Sequence, residues 1–270
     1  MADPRISVIF RAVPLLPMFA ALALGMVRAS APASAEAPRV LRLMTYNVNY
    51  GNLDVGATLD TIAGADADIV LLQEITEGWK AELSRRFGKQ YPHQVFHIHS
   101  RAAGGLAVLS KHPIGAEHVL PSPERGWFPA ERLVIDGPFG ALQILHVHLR
   151  PAIANGSWIQ GYLLTPPLRL REIESYWPHL TAGMPTIIAG DFNELPSGSA
   201  IEFLEKQGFA RVPTTGPTTW HYVDEGHDLL KMDIDHVMLD ASLTAHDAAV
   251  LDAGTSDHRP IVVTIAPRTP

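Results

Sequence analysis

The 270-residue chain contains no cysteine. A disulfide framework, a thiolate metal site and a cysteine nucleophile are therefore all excluded as explanations of its fold or chemistry. The chain also lacks a short-period repeat, and it has no low-complexity tract beyond an Ala/Pro/Ser-rich segment near the amino terminus. A repeat architecture is excluded on that ground, and one large domain is the simplest interpretation of the remaining length.

Positive charge is scarce as well. Lysine and arginine number 21 against 28 aspartates and glutamates, which gives a formal net charge of −7. No Lys/Arg-rich tract marks a nucleic-acid groove, and Arg169 with Arg171 is interpreted as a solvated helix face. Such a chain has no overall attraction to polyanions, so duplex DNA binding is predicted to depend only weakly on salt. Nuclease activity is not excluded, because a bound metal ion can itself recruit a phosphate.

No hydrophobic run is long enough for a clear membrane span. Two arginines precede the apolar stretch 13–27, two prolines interrupt it, and Ala33-Ser34-Ala35 resembles a signal-peptidase site. We therefore predict a signal peptide at 1–35, with an uncleaved membrane anchor as the alternative, then a linker at 36–39 and a catalytic domain at 40–270. The predicted location is exported, either periplasmic or secreted. Removing 1–35 takes away three arginines and one aspartate, which changes the formal net charge from −7 to −9.

Apolar runs bounded by turn residues predict strands, and amphipathic segments predict helices. Strands are predicted at 40–48, 69–74, 93–99, 105–110, 132–135, 142–148, 186–193, 218–221, 234–239 and 260–265, and helices at 55–64, 77–87, 168–180 and 199–207. Each half of the chain thus has strand-and-helix units followed by hairpins. The segment 151–167 is longer than a routine connection and is interpreted as a loop that forms a rim or lid.

The segment Thr186–Asn193 is the strongest single indication of a site. Its apolar run ends abruptly in Gly-Asp-Phe-Asn, which predicts a buried strand that ends at a sheet rim. Asp191 and Asn193 are two residues apart, so in extended backbone they point the same way and can face one reacting group. The alternative interpretation is a strand that ends in an ordinary Asx turn.

Other predicted strands also have acid, amide or imidazole side chains at, or directly before, one of their ends. These residues are Asn47, Glu74, His148, Asp235, Asp257 and His258. Oxygen ligands in the absence of thiolates favour a hard cation, Mg²⁺ or Mn²⁺, over a structural zinc site. His146 shares a strand face with His148, but a lone histidine there is more often a packed core or surface residue.

Six ordered motifs give the chain a recognisable resemblance. They are Thr-Tyr-Asn-Val at 45–48, Leu-Gln-Glu at 72–74, Val-His-Leu at 147–149, Gly-Asp-Phe-Asn at 190–193, Ile-Asp-His-Val at 234–237 and Ser-Asp-His-Arg-Pro at 256–260. With them the chain resembles the endonuclease/exonuclease/phosphatase superfamily, which has the deoxyribonuclease-I-like fold. The resemblance implies a four-layered α/β/β/α sandwich, in which two mixed β sheets lie face to face with helices outside and the active site lies at one edge.

The resemblance also implies roles for the matching residues. Glu74 corresponds to the principal metal ligand, and Asn47 and Asp257 correspond to auxiliary ligands or orienting groups for Mg²⁺ or Mn²⁺. Asp191 would activate the attacking water, and Asn193 would hold that water or the phosphate.

Two histidines complete the implied set. His258 would be oriented by Asp235 and would donate a hydrogen bond to the phosphate, with His148 on the opposite side. Asp233 competes with Asp235 for this position, but only Asp235 directly precedes the strand in family register. The approach at 101–105 lacks the tyrosine of some DNA-repair members, which weakens a repair-endonuclease assignment and leaves Arg101 as an alternative phosphate contact.

The implied function is a divalent-metal-dependent phosphoester hydrolase, either a phosphodiesterase or a nuclease, that uses in-line attack of water. A sphingomyelinase-like phospholipid phosphodiesterase is an alternative, because Trp127-Phe128 and the segment 158–162 are able to form an apolar lip as well as to pack inside the fold. A catalytically silent binding module is another, but its expected sign is loss of Glu74, Asp191 or His258, and all three are present. The predicted partner is a phosphodiester in a nucleic acid, a lipid or a small molecule. No obligate protein partner is evident, and a monomer is predicted.

Overall fold

The computed structural model describes residues 39–124, 126–224 and 227–269. The predicted signal peptide at 1–35 and most of the linker lie outside these ranges. The helices are α1 Val55–Ala65, α2 Glu77–Phe87, α3 Trp158–Leu164, α4 Pro166–Tyr176 and α5 Ser199–Lys206. The strands are β1 Leu41–Asn47, β2 Ile69–Gln73, β3 His93–His97, β4 Leu106–Ser110, β5 Ile114–Leu120, β6 Ala130–Gly137, β7 Gly140–His148, β8 Thr186–Asp191, β9 Ala210–Arg211, β10 Trp220–Asp224, β11 His227–Met232, β12 Asp235–Leu239, β13 Leu243–Val250 and β14 Ile261–Pro267. Within the described ranges, no helix is both long enough and apolar enough to cross a membrane.

The strands form two mixed six-stranded sheets and one small antiparallel pair. The first sheet has the order β13-β14-β1-β2-β4-β3, the second has the order β5-β6-β7-β8-β12-β9, and β10 pairs with β11. The neighbours β1–β2 and β7–β8 are parallel, while the other pairs are antiparallel. The parallel pairs follow from the helical crossovers that connect these strands, since a tight turn cannot join parallel neighbours.

Three apolar clusters separate four layers. One cluster joins residues of both sheets, including Leu43 and Ile144, and forms the core between them. A second packs α1 and α2 on the outer face of the first sheet, and a third packs α4 and α5 on the second sheet. The three clusters cover both faces of both sheets, which confirms the predicted α/β/β/α sandwich. Burying each large aliphatic side chain in these clusters stabilises the fold by about 1.5–3 kcal/mol.

The face between the sheets changes from apolar to polar towards one end. Leu41 and Leu43 of β1 lie in the central core, and Asn47 continues the same face of the strand. Likewise Ile187 and Ala189 of β8 lead to Asp191. The pairing register sets Asp191 beside His148 on one side and Asp235 on the other. Side chains alternate across a strand, so these registers bring distant polar residues to one edge of the sandwich.

The helices near this edge correct two predictions. The prediction of a loop at 151–167 is wrong, because α3 lies within it and α4 begins at Pro166. Proline is favoured in the first turn of a helix, so α4 begins two residues before the predicted start at 168. Helix α3 exposes large apolar residues and lacks the amphipathic pattern used to predict helices. The prediction of a solvated Arg169 is also wrong, because the side chain is only 3% exposed and pairs with Glu194.

Four strands were not predicted from the sequence: β5, the two-residue β9, β11 and β13. Strand β5 lies at a sheet edge and exposes most of its residues, and β13 is an edge strand with few buried positions. Strand β11 belongs to the small two-stranded sheet and exposes Leu229 and Leu230. Edge and exposed strands lack the alternation of apolar and polar residues that identifies a half-buried strand.

Candidate active site

A cleft of about 440 Å³ opens at the polar end of the sandwich. Its walls include Glu74, His148, Asp191, Asn193 and His258. Asp257 also lines it, whereas Asn47 and Asp235 lie behind the wall and contact the lining residues. The structure therefore brings all eight residues predicted from the sequence to one place.

Asp191 is at the centre of the site. Its Oδ2 lies 3.0 Å from Asn47 Nδ2, 3.4 Å from His148 Nε2 and 3.7 Å from His258 Nε2. Its Oδ1 accepts a 2.8 Å hydrogen bond from the backbone N–H of Asn193, which adopts a left-handed conformation (φ 51°). Burial raises the pKa of Asp191 to about 7. A carboxylate with a raised pKa can accept a proton from water near neutral pH.

The two histidines have opposite charge preferences. His258 Nδ1 lies 2.9 Å from Asp235 Oδ2. Burial disfavours the imidazolium, but Asp235 and Asp191 outweigh burial and raise the pKa of His258 to about 10. For His148, burial and the neighbouring charge of His258 lower the pKa to about 3. At neutral pH the site thus has one charged and one neutral imidazole.

The hydrogen bonds also distinguish the two acids near His258. Asp233 Oδ1 accepts from the backbone N–H of Thr219, whereas Asp235 contacts the His258 ring. The Thr219 hydroxyl accepts from the backbone N–H of Asp235 and so fixes the start of β12. Asp235, rather than Asp233, is therefore the residue placed to orient His258.

Glu74 presents the cleft with a half-buried carboxylate. Its backbone is left-handed (φ 66°), which ends β2 and turns the side chain into the site. Oε1 accepts from Asn47 Nδ2 at 3.1 Å, and Oε2 accepts from the backbone N–H of Tyr50 at 2.9 Å. Burial raises the pKa of Glu74. A divalent cation beside this carboxylate would offset the cost of its buried charge, so the residue fits a metal ligand.

Asn47 and Asp257 make contacts typical of orienting groups. Asn47 Nδ2 donates to the carboxylates of Glu74 and Asp191, and Asn47 Oδ1 accepts from the backbone N–H of Asn49. Asp257 accepts from the side chains of Asn49 at 2.8 Å and Trp220 at 3.1 Å. Direct metal ligation by either residue stays a prediction.

A second set of ligand atoms occurs in the same site. Asp191, Asp235 and His258 each offer one atom, and the three atoms lie within 4.8 Å of one another. The hydrogen bond between Asp235 and His258 occupies two of these groups. Acidic and imidazole groups of this site are therefore able to hold a divalent ion, and Glu74 offers the more open position.

The residues that support the histidines and the cleft wall make contacts that the sequence did not predict. Phe128 is buried with its ring 4.4 Å from that of His148, and Trp220 donates to Asp257. The guanidinium groups of Arg101 and Arg150 lie 5.0 Å and 3.6 Å from the Trp127 ring centroid. Glu194, which forms a buried ion pair with Arg169, directly follows the Gly-Asp-Phe-Asn motif, and this position is the one feature of the sequence that could have indicated it. The sequence left Trp127-Phe128 open between an apolar lip and buried packing, and it offered Arg101 as a phosphate contact. It gave no signal for Trp220 and Arg150, whose contacts depend on the tertiary fold.

The profile of the Endonuclease/Exonuclease/phosphatase family matches residues 44–258. A search of curated proteins finds no match. Similar solved structures include an endonuclease/exonuclease/phosphatase from Beutenbergia cavernae DSM 12333 (21% identity, 85% of this chain and 72% of that chain, TM-score 0.66).

Two further structures of this fold have more specific names. One is the human nocturnin catalytic domain with bound sulfate (16% identity, 85% and 94% coverage, TM-score 0.63). The other is sphingomyelinase C from Streptomyces griseocarneus (16% identity, 83% and 99% coverage, TM-score 0.63). At these identities the similarity shows the fold alone.

Proposed function

The chain belongs to the endonuclease/exonuclease/phosphatase family, a family of phosphoester hydrolases, and from this premise we propose that it is a divalent-metal-dependent phosphodiesterase. The observation that supports the proposal most strongly is the convergence on Asp191. Its buried carboxylate meets an amide and two imidazoles at the wall of a cleft that Glu74 also lines. A phosphodiester is anionic and repels nucleophiles, so a site of this kind must align water and offset oxygen charge.

Each residue has a defined task in this proposal. Asp191 orients the attacking water and accepts its proton. Asn193 donates Nδ2 to Leu149 O, which leaves its Oδ1 to accept a hydrogen bond from the same water. His258 donates a charged hydrogen bond to a phosphate oxygen, and Asp235 keeps that ring charged and oriented. His148, held against Phe128, contacts the phosphate as a neutral imidazole.

Mg²⁺ or Mn²⁺ bound at Glu74, when present, would supply Lewis-acid stabilisation of the leaving oxygen. Asn47 keeps the Glu74 carboxylate at the required position by its hydrogen bond. The attacking group is water, so no covalent enzyme intermediate forms in this proposal.

A hydrolysis panel tests the proposal directly. The chain without residues 1–35 is assayed on DNA, RNA, sphingomyelin, phosphoinositides and simple aryl phosphodiesters with Mg²⁺, with Mn²⁺ and with EDTA. We expect turnover of at least one phosphodiester that requires the divalent ion and stops with EDTA. No turnover of any phosphoester by folded protein in either metal would instead favour a catalytically silent binding module.

A lipid phosphodiester is a second candidate substrate, because apolar side chains extend from the cleft. Trp158, Tyr162 and Leu163 of α3 are exposed, as are Tyr222 and Leu230 of the two-stranded sheet. A second cavity of about 590 Å³ lies between these elements. Contiguous exposed apolar surface is typical of membrane or ligand contact. The name of one similar structure, sphingomyelinase C, states a phospholipid substrate.

Surface variants separate the lipid substrate from a soluble one. Leu163→Ser and Leu230→Ser remove exposed apolar groups without touching the residues around Asp191. If lipid is the substrate, the double variant should hydrolyse vesicles at least tenfold more slowly and soluble aryl phosphodiesters at the wild-type rate. Val119→Ser, an exposed residue of β5 outside the cleft lining, is the matched control. Equal loss on both substrates would contradict the lipid proposal.

We further propose that the chain is exported after cleavage of residues 1–35 and acts as a monomer without an obligate protein partner. The arginine-flanked apolar segment and the small residues before Glu36 support export. Amino-terminal sequencing of protein recovered outside the cytoplasm should begin at Glu36, and light scattering should give one chain. Recovery of the uncut chain in membranes would favour the anchor.

A further inference from the structure

A second group of histidine and glutamate side chains lies between the two sheets, outside the cleft. His97 ends β3 at the edge of the first sheet, while Glu117 and Glu131 belong to β5 and β6 of the second sheet. His97 Nε2 lies 2.6 Å from Glu117 Oε1 and 3.1 Å from Glu131 Oε1. One ligand atom from each of the three residues lies within 4.8 Å of the others. None of the three lines the cleft.

Glu131 is the unusual member of this group. Its side chain is fully buried, and neither carboxylate oxygen has a partner in hydrogen-bonding geometry. His97 Nε2 also lacks such a partner, although it faces two carboxylates. One ring nitrogen carries at most one hydrogen, so it cannot serve both acids. Among the described residues, Glu131 thus faces only the one His97 nitrogen that it shares with Glu117 and, at 3.5 Å, the ring of His146. So few donors for a buried carboxylate point to another positive group among these atoms.

The contacts behind Glu131 resemble the support of a metal ligand. The Gln73 amide nitrogen lies 2.6 Å from His146 Nε2 and donates to the Thr45 hydroxyl at 3.1 Å. Because that amide group is a donor, His146 Nε2 acts as the acceptor and the ring proton lies on Nδ1. Nδ1 faces Glu131 Oε2 at 3.5 Å. Metal-bound carboxylates are commonly oriented by such outer contacts.

We propose that His97, Glu117 and Glu131 bind one Zn²⁺ ion, with His146 orienting Glu131 from behind. Imidazole nitrogen with carboxylate oxygen is a donor set that suits zinc, and three protein ligands leave a fourth position for water. Ligands about 2.1 Å from a tetrahedral ion lie about 3.4 Å apart. The His97–Glu131 spacing is already close to this value, and the partly exposed Glu117 has room to move outward.

At this position the ion links the two sheets. Strands β3 and β5 are edge strands of different sheets, and the ion joins them directly. Glu117 and His97 are partly exposed, which gives the ion an entry path. Binding to the folded chain alone stabilises it by mass action, so zinc should raise the unfolding temperature.

Metal titration in a chain with an altered cleft tests this proposal. Glu74→Gln removes the acid assigned to the other metal, and the purified variant is stripped with chelator and titrated with Zn²⁺ by calorimetry. We expect one ion per chain that depends on Glu117, counted apart from any ion held by Asp191, Asp235 and His258 in the cleft, and a higher unfolding temperature. Adding Glu117→Gln should weaken binding at least tenfold and abolish the temperature shift, while Glu77→Gln, on the exposed surface of α2, should change neither.

Co²⁺ supplies an independent spectroscopic readout. The Glu74→Gln protein should develop visible absorption typical of four-coordinate cobalt, and the Glu117→Gln addition should remove it. Glu117 is partly exposed, so its replacement leaves the fold intact even if Glu131 variants fail to fold. Zinc affinity unchanged by Glu117→Gln, or no zinc binding at all with no shift in unfolding temperature, would overturn the proposal and identify the group as an ion pair around a protonated His97.

Discussion

The carboxylate of Asp191 is surrounded by polar side chains from separate parts of the chain. Asn47 comes from β1, His148 from β7 and His258 from the segment before β14, and all three lie within 3.7 Å of Asp191 Oδ2. The sequence could predict these residues because Asn47 and His148 end apolar runs and His258 lies directly before one. It left Phe128 open between an apolar lip and buried packing, because the ring contact with His148 depends on the path of a loop.

Asp191 and His258 should act on one chemical step, one on water and the other on phosphate. We expect Asp191→Asn and His258→Asn each to reduce turnover by about 10²–10⁴-fold. The double variant should lose little more than the worse single variant, because groups that act as a unit are non-additive. Asp247→Asn, on the exposed part of β13, is the control. A near wild-type rate in either single variant would remove that residue from the mechanism.

Glu172 should make stability depend on pH. It is fully buried on α4 and accepts from the backbone N–H of Arg150, and burial raises its pKa to about 7. An unfolded glutamate titrates near about 4.3. Between these values the folded state keeps the proton that the unfolded state loses. The contribution of Glu172 to the free energy of unfolding is therefore fully present below the unfolded pKa. It falls by up to about 1.4 kcal/mol per pH unit as the pH rises from the unfolded pKa to the folded pKa.

Urea unfolding at pH 5 and pH 8 measures this effect. Between pH 5 and pH 8 the free energy of unfolding of wild type should fall more than that of Glu172→Gln, so the variant gains stability relative to wild type at pH 8. Glu174→Gln, exposed on the same helix, should show no such change. Parallel pH dependence of wild type and Glu172→Gln would show that Glu172 is already ionised in the folded state.

At the scale of elements, the parallel pair β7–β8 determines where the site lies. Gly190 adopts φ 144°, and a Cβ there would lie 1.9 Å from Val147 O. No side chain fits without separating the two strands that hold His148 and Asp191. The Gly-Asp-Phe-Asn motif thus contains a packing requirement as well as the reactive acid.

Two glycine-to-alanine variants compare the close contact at Gly190 with Gly64, where an added Cβ meets no other atom. Gly190→Ala should cost more than about 2 kcal/mol of unfolding free energy or prevent folding, because backbone must move. Gly64→Ala in α1 meets nothing within 4 Å and should be neutral or stabilise by about 0.4–1 kcal/mol. Denaturant unfolding of both variants gives the comparison. Equal effects would contradict the close approach of β7 and β8.

The elements that the sequence predicted well are those with buried faces. Strands β1, β2, β7 and β8 have continuous or alternating apolar residues, since each contributes to an interior layer. The exposed helix α3 and the edge strand β5 lack that pattern. Their positions depend on tertiary contacts, which a local sequence pattern does not contain.

For the whole molecule, net charge bears on the choice of substrate. The predicted mature chain has a formal net charge of −9 and no basic tract. Binding of duplex DNA to Asp191→Asn in Mg²⁺ should therefore be weak, with a log–log salt slope smaller than about 3, because each phosphate contact contributes about 0.9. A steep slope with nanomolar, sequence-selective affinity would indicate a dedicated DNA endonuclease with a basic surface assembled from scattered residues.

The central claim is that a divalent ion at Glu74 supports hydrolysis in this cleft. The most direct test is the Mg²⁺ dependence of phosphodiester turnover in wild type, Glu74→Gln and the exposed control Glu77→Gln. Glu74→Gln keeps the side-chain shape but removes the charge that holds the ion. We predict a loss of about 10²-fold or more in metal-supported turnover, with an unchanged circular dichroism spectrum, and wild-type behaviour in the control. Undiminished Mg²⁺-dependent turnover by Glu74→Gln would contradict the claim.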